Sequence, residues 1–244
     1  MNVHHLSLRI LSAVGRPPDQ YCRFRRSLLR TLQLVVAFFA FISLAQAQEG
    51  EPIHVRFSLL AWEPIKQGLH YASGGEVEEL RIPSEYRSDL YRYEGPPEIV
   101  FFRTRTGPDG ETVREPAARA TIDSSVRRPL FLFFPKKGGG DVEFRILTID
   151  DSPDAFPAGS YRFFNFTDHR IGGEMADEQF VIQEGENKTV RPSAENNRNL
   201  SLQLAVENPG GWERKVSTRW LYRDTARHLV FLVRDGRRLA IRSI

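Results

Sequence analysis

Apolar and polar residues alternate with a period of two along much of the chain after residue 50. Apolar side chains occupy every second position over residues 53–59, and the pattern returns over residues 200–204. This spacing is typical of strands that bury one face. Residues 130–134 are apolar throughout, which predicts a central strand covered on both faces. With regular glycine-marked turns between such segments, we expect an all-β protein of twelve to fourteen short strands, built as antiparallel Ig-like (Greek-key) β-sandwiches.

Two parts of the chain show predicted strands and turns in the same order and with similar spacing, which predicts an internal duplication. The alternative is that any two all-β domains show similar alternation by chance. The matched segments, first copy before second, are the openings 55–60 and 161–166, the glycine pairs 74–75 and 172–173 interpreted as hairpin turns, the strands 77–83 and 188–192, the strands 98–102 and 200–206, and the closing hairpins 129–146 and 228–242.

An aspartate- and proline-containing stretch separates the two copies. We therefore predict four parts: a signal peptide at 1–47, a first sandwich at 48–150, a linker at 151–158 and a second sandwich at 159–244. The mature chain of about 197 residues fits two domains of ordinary size.

The first 47 residues have the layout of a secretory signal. Several arginines precede an apolar run at 32–44, and Ala45-Gln46-Ala47 is a small-x-small cleavage site. The run is shorter than the roughly 20 residues of a membrane span, although an uncleaved anchor is the alternative. We expect a periplasmic or secreted protein that meets the membrane only through this export signal.

Charge and cysteine content change once this segment is set aside. It carries six arginines and one aspartate, a net +5, so the remainder of a chain of net +3 is −2. The basic balance therefore gives no support to nucleic-acid binding. The only cysteine, Cys22, lies in the same segment, so the mature chain has no disulfide and depends on its cores.

Signals of catalysis are weak. The chain has no Gly-x-Ser-x-Gly motif, and its mature histidines, at positions 54, 70, 169 and 228, match no zinc-binding spacing. We predict a protein without enzymatic activity or cofactor, with an unrecognised hydrolase as a third functional alternative. The one metal candidate is a calcium site at Asp150, Asp151 and Asp154, against the simpler interpretation of a solvated, aspartate-rich turn.

Two aromatic–basic groups are candidate ligand-binding surfaces. Flat aromatic rings stack on sugars and arginines pair with carboxylates, which makes an acidic polysaccharide a sensible ligand. The alternative is that the aromatics are core residues with exposed arginine neighbours. The candidate residues are Tyr86, Tyr91, Tyr93 and Arg92 in the first group, and Trp212, Arg214, Trp220 and Tyr222 in the second.

The run Pro157-Ala158-Gly159-Ser160-Tyr161-Arg162-Phe163-Phe164-Asn165-Phe166 resembles strand openings in uncharacterised bacterial exported β-sandwich proteins. The tandem layout is also similar to that of the periplasmic accessory protein of alginate O-acetylation. The resemblance implies an exported sandwich protein and transfers no functional residue.

These observations favour a non-catalytic binding or accessory protein of the bacterial cell envelope, whose partner is an envelope protein or a polysaccharide. The alternative is a protein–protein interaction module that acts through a sheet edge.

Overall fold

The described part of the protein is all-β. The computed structural model describes residues 52–138, 140–236 and 238–244, and these contain sixteen strands and no helix. The strands of the first half are β1 Ile53–Ala61, β2 Leu69–Ser73, β3 Glu76–Leu80, β4 Tyr91–Gly95, β5 Glu98–Thr106, β6 Thr112–Thr121, β7 Pro129–Pro135 and β8 Phe144–Asp150. Those of the second half are β9 Ser160–Asn165, β10 Ile171–Met175, β11 Glu178–Ile182, β12 Asn187–Val190, β13 Asn199–Asn208, β14 Gly211–Leu221, β15 Arg227–Asp235 and β16 Arg238–Ser243.

Each half is a two-sheet sandwich, and both halves have the same strand order. The first half has sheets β4–β1–β7–β8 and β3–β2–β5–β6, and the second has β12–β9–β15–β16 and β11–β10–β13–β14. In each half the first and seventh strands pair in parallel, β1 with β7 and β9 with β15, while the other pairs are antiparallel. The predicted all-β tandem architecture is confirmed, and strand-by-strand correspondence supports the predicted duplication.

The correspondence extends to irregularities of the sheets. The β5–β6 ladder shifts register between Phe101 and Phe102, and the equivalent β13–β14 ladder shifts between Leu204 and Ala205. A β-bulge reverses which face of the sheet later side chains occupy. The strand that carries Trp212 therefore contains a bulge, which has a counterpart in the first half.

Two of the matched segments were paired wrongly. Gly172 and Gly173 lie inside β10, whereas Gly74 and Gly75 form the turn between β2 and β3. A side chain at Gly173 would overlap Phe180, since its Cβ would lie 2.2 Å from the ring, so the glycine clears space within the sheet. Residues 188–192 likewise belong to the region of β12, which is the counterpart of β4 and not of β3.

Each sandwich encloses its own hydrophobic core. Phe57, Tyr71 and Phe101 centre the first core, and Phe163 and Leu202 lie in the second, all of them buried. Both cores are rich in aromatic rings, which supply much of the apolar area that a disulfide-free domain must bury. The two halves thus have the separate cores expected of tandem domains.

A third cluster joins the two sandwiches. Leu130 and Leu132 of β7 face Leu229 and Phe231 of β15, and all four side chains are fully buried. Alternate residues of the same strands face the two sandwich cores. The prediction that residues 130–134 form a strand covered on both faces is confirmed. The two inner sheets pack against each other, so the protein is a stack of four sheets.

The segment predicted as a linker is held inside this interface. Asp151 is 2% exposed, and its carboxylate accepts hydrogen bonds from Arg87 at 3.3 Å and from Arg227 at 3.1 Å. The guanidinium of Arg128 donates to the Asp151 carbonyl oxygen at 2.6 Å. The expectation of a solvated aspartate was wrong, because arginines from both halves surround it.

Phe156 is the apolar counterpart of Asp151 in the same segment. Its ring is fully buried, and the guanidinium carbons of Arg87, Arg162 and Arg227 lie 5.9, 4.8 and 5.6 Å from its centroid. Burial lowers the pKa of Arg162, while the nearby charge of Asp151 opposes that shift. The segment thus combines one buried charge and one buried ring that hold residues of both sandwiches.

Residues 1–47, including the predicted signal and Cys22, lie outside the described residues. Over the range from 52 onward, no helix has the length and apolarity that crossing a bilayer requires.

We predict that Asp151→Asn lowers the free energy of unfolding by about 3 kcal/mol, because it removes the partner of buried arginines. Urea denaturation followed by tryptophan fluorescence measures this. Asp154→Asn is the matched control in the same segment, since Asp154 pairs with Arg127 at an exposed site, and it should change stability by about 0.5 kcal/mol or less. Equal effects of the two variants would contradict a special role for Asp151.

Candidate functional site

A groove lies at one end of the first sandwich. It encloses about 760 Å³ and combines aromatic and basic side chains, so we call it the aromatic–basic groove. Its lining residues are Trp62, Glu63, Arg119, Phe134, Pro135, Lys136, Lys137, Val142, Phe144, Arg145 and Ile146.

Trp62 and Phe134 provide two of the aromatic side chains of the groove. Trp62 directly follows β1 and Phe134 lies near the end of the neighbouring strand β7. The two ring centroids are 5.2 Å apart, and the Trp62 amide donates to the Phe133 carbonyl oxygen at 2.8 Å. Both rings are half-buried, so each is anchored by packing while part of its surface stays accessible.

Residues of the second sandwich also contact Trp62. Phe231 meets the indole edge-to-face at 5.4 Å, and the guanidinium carbon of Arg242 lies 4.5 Å from the indole centroid. Arg242 also donates to the carbonyl oxygens of Trp62 and Ser84. The orientation of Trp62 therefore depends on contacts from both halves of the protein.

Four cationic side chains line the groove against one carboxylate. Lys136, Lys137 and Arg145 are exposed, and none of them forms an ion pair with a carboxylate among the residues described. Arg119 lies 3.5 Å from a carboxylate oxygen of Glu98, outside the groove lining. The lining carries a net positive charge, which favours an anionic ligand.

A partly buried ion pair holds the hairpin that carries these cations. Arg103 donates to both carboxylate oxygens of Glu143 at 2.6 and 2.8 Å. The Glu143 amide donates to the Ala117 carbonyl oxygen at 2.9 Å and links the start of β8 to β6. Hydrogen bonding from Arg103 lowers the pKa of Glu143, although partial burial opposes the shift.

The first predicted ligand-binding group is not one surface. Tyr93 is buried and donates its hydroxyl to the Pro96 carbonyl oxygen at 2.7 Å. Tyr91 packs on Phe57 with ring centroids 5.6 Å apart. Tyr86 is exposed in the β3–β4 loop.

Arg92 lies apart from those tyrosines because neighbouring residues of a strand point to opposite faces. It lines a shallow basic depression of about 530 Å³ with Arg56, Arg127 and Arg128. Arg127 and Arg128 are already bound to Asp154 and to the Asp151 carbonyl oxygen. The lining includes the exposed imidazole of His54 but, among the residues described, no accessible phenyl, phenol or indole ring, because Tyr93 contributes to it from the core side.

The second predicted group is divided between the two faces of one sheet. Tyr222 is buried, and Trp220 packs against the second core beside Tyr161, with centroids 5.8 Å apart. Trp212 and Arg214 lie together on the outer face of the sheet. Tyr222 and Trp220 are core residues and are not part of a ligand surface.

The proposed calcium ligands do not converge. Asp151 is paired with arginines, Asp154 pairs with Arg127, and Asp150 accepts the Ser152 amide at 2.9 Å in a tight turn. The described residues contain no group of three or more His, Cys, Asp or Glu side chains placed to hold a metal ion. The short sequence spacing of the three carboxylates is thus a feature of the interface segment.

No protein-family model matches the chain. Comparison with the curated proteins also finds no match.

The groove was missed in the sequence because its parts come from separate segments. In the sequence, Trp62 closely follows an alternating run, whereas Lys136 and Lys137 stand far from it, in front of a run of glycines. An apolar run that ends in an aromatic residue and is followed by two lysines is the signal that was present. What the groove offers chemically is stacking next to unpaired positive charge.

We predict that the Glu143–Arg103 pair makes the protein sensitive to acid. The pKa of Glu143 is lower in the folded state than its usual value of 4.5, so the stabilisation is present above about that pH and is lost as pH falls through the folded-state pKa. Urea denaturation at pH 3 to 6 should show stability falling with pH, and Glu143→Gln should remove part of that slope. Glu115→Gln, whose pair with Arg105 is exposed on both sides, is the control and should retain the full slope.

Proposed function

We propose that the protein is an exported, non-catalytic binding protein of the bacterial cell envelope, and that its aromatic–basic groove binds an acidic polysaccharide. The single observation that supports this most is the placement of half-buried aromatic rings in one groove beside Lys136, Lys137 and Arg145, which form no ion pair among the residues described. Export is inferred from the signal-like segment at residues 1–47.

The aromatic side chains suit a sugar ring. Trp62 and Phe134 pack against each other, and each also contacts an arginine. Arg242 lies over Trp62, and the guanidinium carbon of Arg145 lies 5.9 Å from the Phe134 centroid. Rings held in place lose little conformational entropy when a ligand stacks on them. A pyranose ring presents a flat C–H face of the kind that packs on such aromatics.

The cations suit the carboxylates of a uronic-acid polymer. Lys136 and Lys137 directly follow β7, and Arg145 lies on β8, so a chain in the groove meets several positive charges in succession. Each exposed ion pair contributes little binding free energy, but a polymer with repeated carboxylates can form several such pairs at once. We therefore expect the affinity to fall steeply as the salt concentration rises.

Replacing Lys136 and Lys137 together by glutamate should weaken binding of polygalacturonate at least about tenfold, because two attractive charges become repulsive. Isothermal titration calorimetry at low and high salt measures the effect. The same polymer with its carboxylates reduced to alcohols should lose the part of its affinity that depends on these lysines.

The matched control is Lys188→Glu with Arg191→Glu, which changes net charge equally at exposed positions on and just after β12. This control should bind polygalacturonate almost like the native protein. Equal losses in both double variants would show unspecific charge attraction, and absence of binding by the native protein would reject the proposal.

A second candidate function is recognition of an envelope protein through a sheet edge. In the first sandwich the Glu143 amide links β8 to β6, but no backbone hydrogen bond joins the equivalent β16 and β14 among the described residues. Leu239 and Ile241 on β16 are only half-buried. An open, partly apolar edge of this kind is where a partner strand adds.

For this second function, cross-linking followed by pull-down from envelope extract should recover one partner in stoichiometric amount. Ile241→Lys should abolish that recovery because a charge is introduced at the edge. A melting temperature close to that of the native protein confirms that the variant is folded. Unchanged recovery would exclude the β16 edge.

A further inference from the structure

The outer face of the sheet β11–β10–β13–β14 carries an exposed tryptophan outside the aromatic–basic groove. Trp212 is 47% exposed, and a shallow trough of about 550 Å³ lies beside it. A large apolar side chain left in solvent on an open sheet face is a candidate contact point for a ligand.

Small residues make room for the indole. Gly172 lies next to Ala205 in the β10–β13 ladder, and a Cβ at Gly172 would lie 3.0 Å from Cζ3 of Trp212. The missing side chain lets the indole lie against the strand. The floor of the trough is therefore flat at the position of the ring.

A cation–π contact also restrains the indole. The guanidinium carbon of Arg170 lies 5.8 Å from the Trp212 ring centroid. Arg170 in turn donates to both carboxylate oxygens of Glu207 at 2.9 and 2.7 Å, which fixes the guanidinium in place. A ring restrained in this way is preorganised for stacking.

The polar side chains around the trough have no excess charge. Glu174 and Arg214 contribute one negative and one positive group, and Gln179 and Gln203 contribute neutral amides. Their mutual hydrogen bonds are long, at 3.5 Å for Gln179 to Glu174 and 3.3 Å for Arg214 to Gln203. Such groups can exchange these bonds for bonds to hydroxyl groups at little cost.

The corresponding sheet of the first sandwich has its aromatic residue covered. Phe102 is only 4% exposed, with His70 stacked at 6.0 Å between ring centroids and the guanidinium carbon of Arg114 5.1 Å from the ring. The repeated fold therefore does not require a bare ring on its outer face. The exposure of Trp212 is specific to the second half.

From this geometry we propose that the Trp212 face is a second binding site, for an extended chain of neutral, β-linked hexoses. The flat trough suits a ribbon-like chain, the indole stacks on the face of one sugar ring, and Gln179, Gln203, Glu174 and Arg214 bond to its hydroxyl groups. The charge balance distinguishes this ligand from the acidic polymer proposed for the aromatic–basic groove, and the inference does not rest on that proposal.

Affinity electrophoresis in native gels containing hydroxyethylcellulose tests the site. We expect the full-length protein to be retarded, and Trp212→Ala to lower the apparent affinity at least about tenfold. Gly172→Val should act in the same direction, because a side chain there displaces the indole while favouring the strand. Trp212→Phe, which keeps a flat ring, should retain part of the affinity.

Two control variants establish whether the retardation arises at the Trp212 face. Tyr86→Ala removes an aromatic residue that is 57% exposed on the other sandwich and should leave the retardation unchanged. The Lys136→Glu/Lys137→Glu double variant should also leave it unchanged. No retardation of the native protein, or an equal loss in Tyr86→Ala and Trp212→Ala, would overturn the proposal.

Discussion

A single buried carboxylate fixes how the two halves of this protein meet. Asp151 lies between Arg87 of the first half and Arg227 of the second, and separating the halves would break at least one of these partly buried ion pairs. Burial of the apolar cluster around Phe231 stabilises the contact between the halves but does not depend on orientation, whereas the ion pairs of Asp151 require one relative orientation of the halves. The aromatic–basic groove depends on it, because Trp62 is oriented by Phe231 and Arg242 from the second sandwich.

The sequence allowed the strands and the tandem plan to be predicted, because alternation and apolar runs report burial directly. It did not allow the partner of a doubly buried strand to be predicted. Residues 130–134 read as covered on both faces, yet nothing in that run says that β15 of the other half provides the cover. Asp151 was misjudged for a related reason, since a charged residue reads as solvated until distant arginines are brought next to it.

The alternation of side chains along β14 decides which aromatic residues are exposed and which are buried. Trp212 and Trp220 are eight residues apart, so a regular strand would place them on one face. The bulge in the β13–β14 ladder lies between them and sends Trp220 into the core while Trp212 stays outside. Spacing alone could not reveal this, because the extra residue that causes the bulge is visible only in the pairing register.

The doubly buried inner sheets also bear on how such a chain could have arisen. An isolated half would expose a hydrophobic surface to water. This surface would contain Leu130 and Leu132 in the first half, or Leu229 and Phe231 in the second. A single-copy ancestor with this surface would have needed another copy of itself to shield it, and a symmetric homodimer is the simplest such arrangement. Gene fusion would then have made the pairing permanent, and it would have allowed the outer sheets of the two copies to diverge in sequence independently.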